Sequence, residues 1–301
     1  LAGAGAGMGR RTRSGAFWPF WALLRGLAAE GRGPAVVVLE NVVGAITARR
    51  GRAFRTIAGA FAGAGYAFGA LVIDARLFTP QSRPRLLAIG FDPDRARPDR
   101  LSTGPTARWH PPKLAAAVAA LPDAARRRWI WLDPPTPPAR DTTLADVVEA
   151  RPTGVAWDDP AETARLLGLM SEANRAKLAA AAGAGAPAVG ALYRRTRVEN
   201  GRRVSRVEVR FDGLAGCLRT PAGGSSRQRL LFVEGPQRRS RLLSAREAAR
   251  LMGLDDGFAL PERYNAAYHL LGDGVAPPVV RHVVETLVVP ALEAGSARRA
   301  A

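Results

Sequence analysis

The sequence predicts an α/β fold carrying a second, smaller region of mixed strands and helices. Three observations predict it. Residues 35–39 form a bare, β-branched apolar run, short and without alternation, the pattern of a strand buried on both faces of a parallel sheet. A helix-like segment over 53–64, stopped by Gly65, and two more apolar runs over 66–75 and 86–91 complete a β-α-β-loop-β unit. Beyond Phe91 this rhythm stops, and loops, paired strands and a dense set of arginines replace it.

Taken in order, residues 1–9 are mostly Gly and Ala, with little to pack, and flexible by composition. Phe17-Trp18-Pro19-Phe20-Trp21 opens a helix to about residue 29, with Pro in the tolerated first turn and the aromatics reading as core. The first strand ends in Glu40-Asn41-Val42, a carboxylate and an amide where α/β folds bind ligands. A second polar cluster, residues 79–85, separates the second and third strands. Residues 92–112, rich in Pro, Asp and Arg, read as an exit loop. A short helix over 113–121 and a strand over 129–132 follow. Residues 160–170 and 171–182 read as helices, the second started by Ser171, Glu172 and Asn174. Residues 191–197 and 204–211 pair around Glu199-Asn200-Gly201, a hairpin signal. That hairpin carries Arg194, Arg195, Arg197, Arg202, Arg203, Arg206 and Arg210. After a strand over 230–233, Ser244 and Glu247 form a capping box for a helix stopped by Gly253. A last helix runs to about residue 292.

The 301 residues have room for one large domain or two smaller ones, and 47% hydrophobic content is ordinary for a globular chain. The net charge of +18 favours a polyanionic partner. Of 44 basic residues all but Lys113 and Lys177 are Arg, an excess divided between GC-rich codon usage and function. Cys217 is the single cysteine, so neither an intrachain disulfide nor a cysteine zinc site is available, and it reads as a small apolar filler. His110, His269 and His282 lack ligand spacing, so no metal is expected. The apolar stretch 17–27 is broken by Pro19 and Arg25, and no run reaches the ~18 residues of a membrane span. The expectation is a soluble, cytoplasmic protein, nucleoid-associated in a bacterium, without a membrane partner.

Several of these stretches form an ordered set: Glu40-Asn41-Val42, Gly65-Tyr66, Asp74-Ala75, Pro80-Gln81-Ser82-Arg83-Pro84-Arg85, then residues 241–253 and Gly272-Asp273-Gly274-Val275. The set resembles the DNA (cytosine-5)-methyltransferase family. Residues 241–253 match its long Arg-x-Leu-Ser-x-Arg-Glu-x-x-Arg-Leu-x-Gly signature, and Asp273 stands where the family has Asn. The resemblance implies a partial Rossmann-like, S-adenosylmethionine-dependent catalytic domain over 1–92, a mixed α+β target-recognition domain over 93–240, and a return to the catalytic domain over 241–301.

The activity it implies is methyl transfer to C5 of a cytosine flipped out of duplex DNA. Glu40 matches the family's carboxyl that protonates N3 and accepts from the exocyclic amine, a role for a carboxyl held at a desolvated strand end. Arg83 and Arg85 match the arginines that orient the base and Glu40. Asn41, Asp273 and Val275 stand at cofactor positions. Arg194, Arg195, Arg197, Arg219, Ser225 and Ser226 are the expected DNA contacts. The family's Pro-Cys nucleophile and Phe-x-Gly-x-Gly cofactor turn do not occur in these 301 residues, and Leu1-Ala2-Gly3 matches the place just after the nucleophile. The expectation is a fragment, inactive alone or completed by a separate N-terminal polypeptide. Two alternatives stay open: a catalytically silent DNA-binding remnant, and a tRNA cytosine methyltransferase of the same fold.

Overall fold

A computed structural model describes residues 16–220 and 227–300. They divide into two compact units. The first runs to Asp74, resumes over Pro84–Pro137 and ends with the chain from Val279 onward; the second comprises Ala75–Arg83 and Pro138–Pro278. The boundaries drawn from the sequence, at 92 and 240, fall inside these units.

Helix α1 (Phe17–Ala29) lays Trp21 edge-on against Phe61, with ring centroids 5.2 Å apart. Strand β1 (Val36–Val42) leads through a 3-10 turn into α2 (Ala48–Gly63). Arg49, Arg50 and Gly51 adopt left-handed backbone (φ 48°, 57° and 77°), so the regular helix is the stretch expected from the sequence. Phe54, Ile57, Ala58 and Phe61 recur at helical spacing and are buried. They join Phe68, Ala70, Leu86 and Ala88 in one core cluster.

Strands β2 (Ala67–Asp74) and β3 (Pro84–Phe91) complete a sheet of order β1-β3-β2. Both pairings are antiparallel, which corrects the expected parallel sheet. The excursion over residues 75–83 is short enough to return β3 directly alongside β2. β3 thus lies between β1 and β2, and those two share a direction without touching. The expectation that β1 is buried on both faces is also corrected. Val37 and Asn41 are buried while Val38 and Glu40 are exposed, and among the described residues β1 has a strand partner on one side only.

The first unit continues with β4 (Leu101–Ser102), α3 (Pro112–Ala119), α4 (Asp123–Arg126) and β5 (Trp131–Leu132), β4 pairing with β5. Only the end of the expected 129–132 strand pairs there. Its start runs beside β2, where Phe68 N–H donates to Arg128 O at 2.9 Å and Ile130 N–H to Phe68 O at 2.8 Å. His110 is buried beside it: Nδ1 accepts from Thr106 N–H at 2.9 Å and the ring stands edge-on to Trp131.

In the second unit, α5 (Pro160–Gly168) and α6 (Glu172–Gly183) precede an antiparallel sheet of β6 (Ala188–Glu199), β7 (Arg202–Arg210), β8 (Arg229–Glu234) and β9 (Gln237–Leu242). The order is β7-β6-β8-β9. Leu166 and Met170, with Leu178 and Ala182, pack onto Leu192, Val207, Val209, Leu231 and Val233. The expected hairpin turn forms at Asn200-Gly201 with both φ positive (49° and 76°), as a tight primed turn requires. β9 and the helix α8 (Tyr264–Asp273) are not among the expected elements; β9's arginines hide its sheet pairing from a pattern search.

Helix α7 (Ala245–Leu251) starts with the predicted box, Ser244 Oγ accepting from Glu247 N–H at 3.0 Å and the Glu247 carboxylate accepting from Ser244 N–H at 2.7 Å. Glu247 also clamps Arg241 bidentately, at 2.6 and 2.8 Å, and the pair is fully buried. Glu149 N–H donates to the same carboxylate at 2.9 Å.

Helix α9 (Pro277–Val283), a π turn over Val284–Val288 and α10 (Val289–Ala300) carry the chain back into the first unit. Arg97 N–H donates to Ala291 O at 2.8 Å, and a Cβ at Gly295 would lie 2.1 Å from Arg95 O, so only glycine permits that approach. By length and apolar composition Tyr264–Arg299 matches a membrane span, contrary to the expectation from run length. Extended backbone at Gly274 breaks it, and Leu271, Val279, Val283, Leu287 and Ala291 are buried in the protein.

Arg241→Met leaves the Glu247 carboxylate buried without its cation and should cost about 3–5 kcal/mol, read as a lowered thermal midpoint. Arg202→Ala, on an exposed tip, should leave the midpoint unchanged. Burial pushes the His110 pKa below the ordinary value, against the opposing effects of Asp133 and the Thr106 hydrogen bond. An unfolded imidazole titrates near ~6.5, so the stability His110 gives is whole above that pH and is lost as pH falls below it. His282 acts with the same sign, also through burial. His110→Asn should flatten the fall in urea midpoint between pH 7.5 and 5.

Candidate active site and nucleic-acid interface

The register of the first sheet builds the candidate catalytic pair. Glu40 lies opposite Leu87 and Val42 opposite Arg85, so Glu40 and Arg85 are diagonal neighbours on one face. Arg85 Nε meets Glu40 Oε1 at 2.6 Å, and Arg85 Nη1 also donates to Pro84 O at 3.0 Å. The sequence expectation of a desolvated carboxyl is not met: 30% of the Glu40 side chain is exposed, on the face of β1 left open. Asn41 points to the opposite, buried face, and its Oδ1 accepts from Val42 N–H at 2.8 Å.

Arg83 has a different setting. It is 2% exposed and belongs to the second unit. Its Nη1 donates to Leu218 O at 2.9 Å, and its Nη2 donates to Gly272 O at 2.8 Å and Gly274 O at 2.6 Å. Nη1 also lies 3.6 Å from the Cys217 thiol. Gln81, fully buried, donates to Leu251 O at 2.9 Å and accepts from Leu218 N–H at 3.1 Å. Arg83 therefore joins the Gly272-Asp273-Gly274-Val275 stretch to the 217–218 segment through backbone carbonyls. The Asp273 carboxylate meets His269 Nε2 at 3.1 Å and is largely exposed, while Val275 is half-buried. The structure thus brings Glu40 to Arg85, and Arg83 to the neighbours of Asp273 and Val275.

The expected DNA-contacting arginines of the hairpin are exposed but held. Glu208 receives both Arg195, at 3.2 Å, and Arg197, at 2.7 Å. Arg195 also stacks over the Tyr193 ring, 4.9 Å from its centroid. Arg194 donates to Ser205 Oγ at 3.3 Å, and Arg206 to Glu199 at 2.8 Å. An open groove of about 660 Å³ lies along this hairpin, lined by Lys177, Arg197, Arg206, Arg210, Glu208 and Asp212. Arg219 is exposed. Ser225 and Ser226 lie outside the described residues.

Sequence reasoning missed Glu199 and Glu208 as holders of these guanidinium groups, although the two-residue turn at Asn200-Gly201 determines which residues share a face. It also missed Trp157, half-open, with Arg239 stacked 3.9 Å from its ring centroid.

The helix-covered sheet, with the carboxylate–arginine pair on its edge strand, is part of a mixed α/β fold of the kind found in cytosine-5 methyltransferases. The chain belongs to the C-5 cytosine-specific DNA methylase family, whose model matches residues 1–288. No curated protein matches it. Among solved structures it is similar to the Entamoeba histolytica methyltransferase EhMeth, with a TM-score of 0.50 at 12% identity, covering 88% of this chain and 66% of that one. A second similar structure, the S. pombe Dnmt2 methyltransferase, gives 0.48 at 15% identity, over 91% and 72% of the respective chains.

Arg83→Met takes a donor from three carbonyls, two of them buried, and should lower stability by at least about 2 kcal/mol. Arg85→Ala removes a partly exposed pair and should cost less than about 1 kcal/mol. Urea unfolding of the two variants separates a structural guanidinium from one held for chemistry.

Proposed function

We propose that this chain recognises its target and activates the cytosine ring in a DNA (cytosine-5)-methyltransferase acting on duplex DNA. The carrying observation is the Glu40–Arg85 pair, a carboxylate oriented by a guanidinium at the end of a strand. A carboxyl in that place donates a proton to cytosine N3 and accepts from the exocyclic amine. Arg85 holds one carboxylate oxygen and leaves the other for the base. Protonation at N3 makes C6 electrophilic toward a thiolate, and the resulting enamine makes C5 nucleophilic.

The methyl group comes from S-adenosylmethionine. Asp273 fits such a ligand as an exposed acceptor for amine or hydroxyl donors, although Asp cannot donate as the family's Asn does. Asn41 fits less well, because its oxygen is already occupied by Val42 N–H. The sole thiol in these residues, Cys217, follows Gly216 and donates to Leu218 O at 3.3 Å. We therefore assign the nucleophile to sequence outside these residues, on the same or a separate polypeptide.

Duplex DNA is favoured over tRNA by the size and Arg content of residues 93–212, while the net charge of +18 suits either polyanion. The purified chain should bind duplex DNA with an affinity that falls steeply with salt, because phosphate neutralisation releases counterions. Alone it should transfer no label from methyl-labelled cofactor. In a complete enzyme containing this chain, Glu40→Gln should lower turnover by about 10²-fold or more while DNA affinity holds. A flat salt response, or methylation undiminished by Glu40→Gln, would overturn the reading.

A further inference from the structure

Strands β6 and β7 outrun the rest of their sheet. β8 pairs with β6 only from Ala188 to Leu192, so beyond Leu192 the two strands form a two-stranded ribbon closed by Asn200-Gly201. Their register sorts the side chains by face. One face bears Tyr193, Arg195, Arg197 and Glu199, opposite Glu208, Arg206, Val204 and Arg202. The other bears Arg194, Thr196 and Val198, opposite Val207, Ser205 and Arg203.

The two faces differ in chemistry. On the first, Glu208 and Glu199 hold Arg195, Arg197 and Arg206, so carboxylates stand among the guanidinium groups. The second carries no carboxylate of the ribbon. It presents the hydroxyls of Thr196 and Ser205, the guanidinium of Arg203 and the methyls of Val198. Val198 is 71% exposed, the most exposed of the large hydrophobic side chains among the described residues. An apolar β-branched side chain at the end of a projecting ribbon gains from an apolar contact in a partner.

The major groove of B-form DNA admits a two-stranded ribbon, whereas that of A-form RNA is too narrow for side chains to read. Its floor offers acceptors on guanine and the C5-methyl of thymine. Arg203 suits the first and Val198 the second, while carboxylates would repel the acceptors. Resting on the proposed duplex-DNA substrate, we infer that the Thr196–Val198–Arg203 face of the ribbon reads base edges in the major groove. Val198 lies against a thymine methyl, and Arg195 and Arg197 on the other face anchor flanking phosphates.

The test is selection of preferred duplexes from a randomised pool by the purified chain, followed by affinity measurements on the selected site. Thr196→Ala and Arg203→Ala should each relax one position, with the discrimination lost there being about 5- to 150-fold. Replacing the contacted thymine by uracil should weaken the wild type several-fold and leave Val198→Ser unaffected. Arg195→Ala and Arg197→Ala should weaken all sites alike and each lower the salt slope by about one. These side chains face solvent, and an unchanged thermal midpoint verifies the fold of each variant. A selected site that the Thr196, Val198 and Arg203 variants read unchanged overturns the inference and leaves duplex DNA as substrate. So does a pool that yields no preferred site. Binding to folded RNA with none to duplex DNA overturns the substrate reading and the inference together.

Discussion

The second unit closes on the buried guanidinium of Arg83. A buried cation is costly unless its donors are met, and here three backbone carbonyls from two distant segments take its two terminal nitrogens. Those carbonyls belong to the end of α8, the extended turn after it, and the 217–218 segment. The short stretch 75–83 thus organises residues more than a hundred positions away. Gln81 does the same with an amide, reaching the end of α7 on one side and Leu218 on the other. Two polar side chains, spaced by one residue, take the part that apolar packing takes elsewhere.

The candidate catalytic pair depends on a different constraint, the pairing register of β1 with β3. A slip of one residue would send Glu40 and Arg85 to opposite faces. The core fixes the register: Val37 must remain under α2, and Leu86 and Ala88 must remain in the same cluster. The chemistry on the open face is therefore set by packing on the covered one. Arg85 follows Arg83 by two residues, yet one serves a strand face and the other a loop.

Much of this was legible in the sequence. The helix at 17–29, the strand runs, the hairpin and the Ser244–Glu247 box each rest on local chemistry, and each formed within a few residues of its expected bounds. Glu40 with Arg85 was legible through the motif order. Strand direction was not: an apolar run such as 35–39 reads the same in parallel and antiparallel neighbours, and only the path of residues 75–83 decides. β9 was hidden because its stability comes from buried Arg241 and Ser240, not from an apolar stripe. The setting of Arg83 was hidden because its partners are carbonyls, which leave no trace in side-chain identity. That Glu199 and Glu208 share a face with Arg195, Arg197 and Arg206 was present in the pattern, because the turn sets the register; that they reach those arginines diagonally, past the residues directly opposite, was not.

The first unit is discontinuous in sequence, and this orders events on the ribosome. The turn at 92–97 receives Ala291 and Gly295 from α10, which emerges last. The sheet of β1, β2 and β3 is translated early, but the last helices of its unit wait for the whole intervening unit. At ordinary rates of synthesis that delay is on the order of ten seconds. During it, residues 95–97 stay without the contacts they make with Ala291 and Gly295. The second unit has no such wait, because residues 75–83 are made before its remainder and its last helix emerges ahead of α10. The chain therefore completes its middle before its beginning.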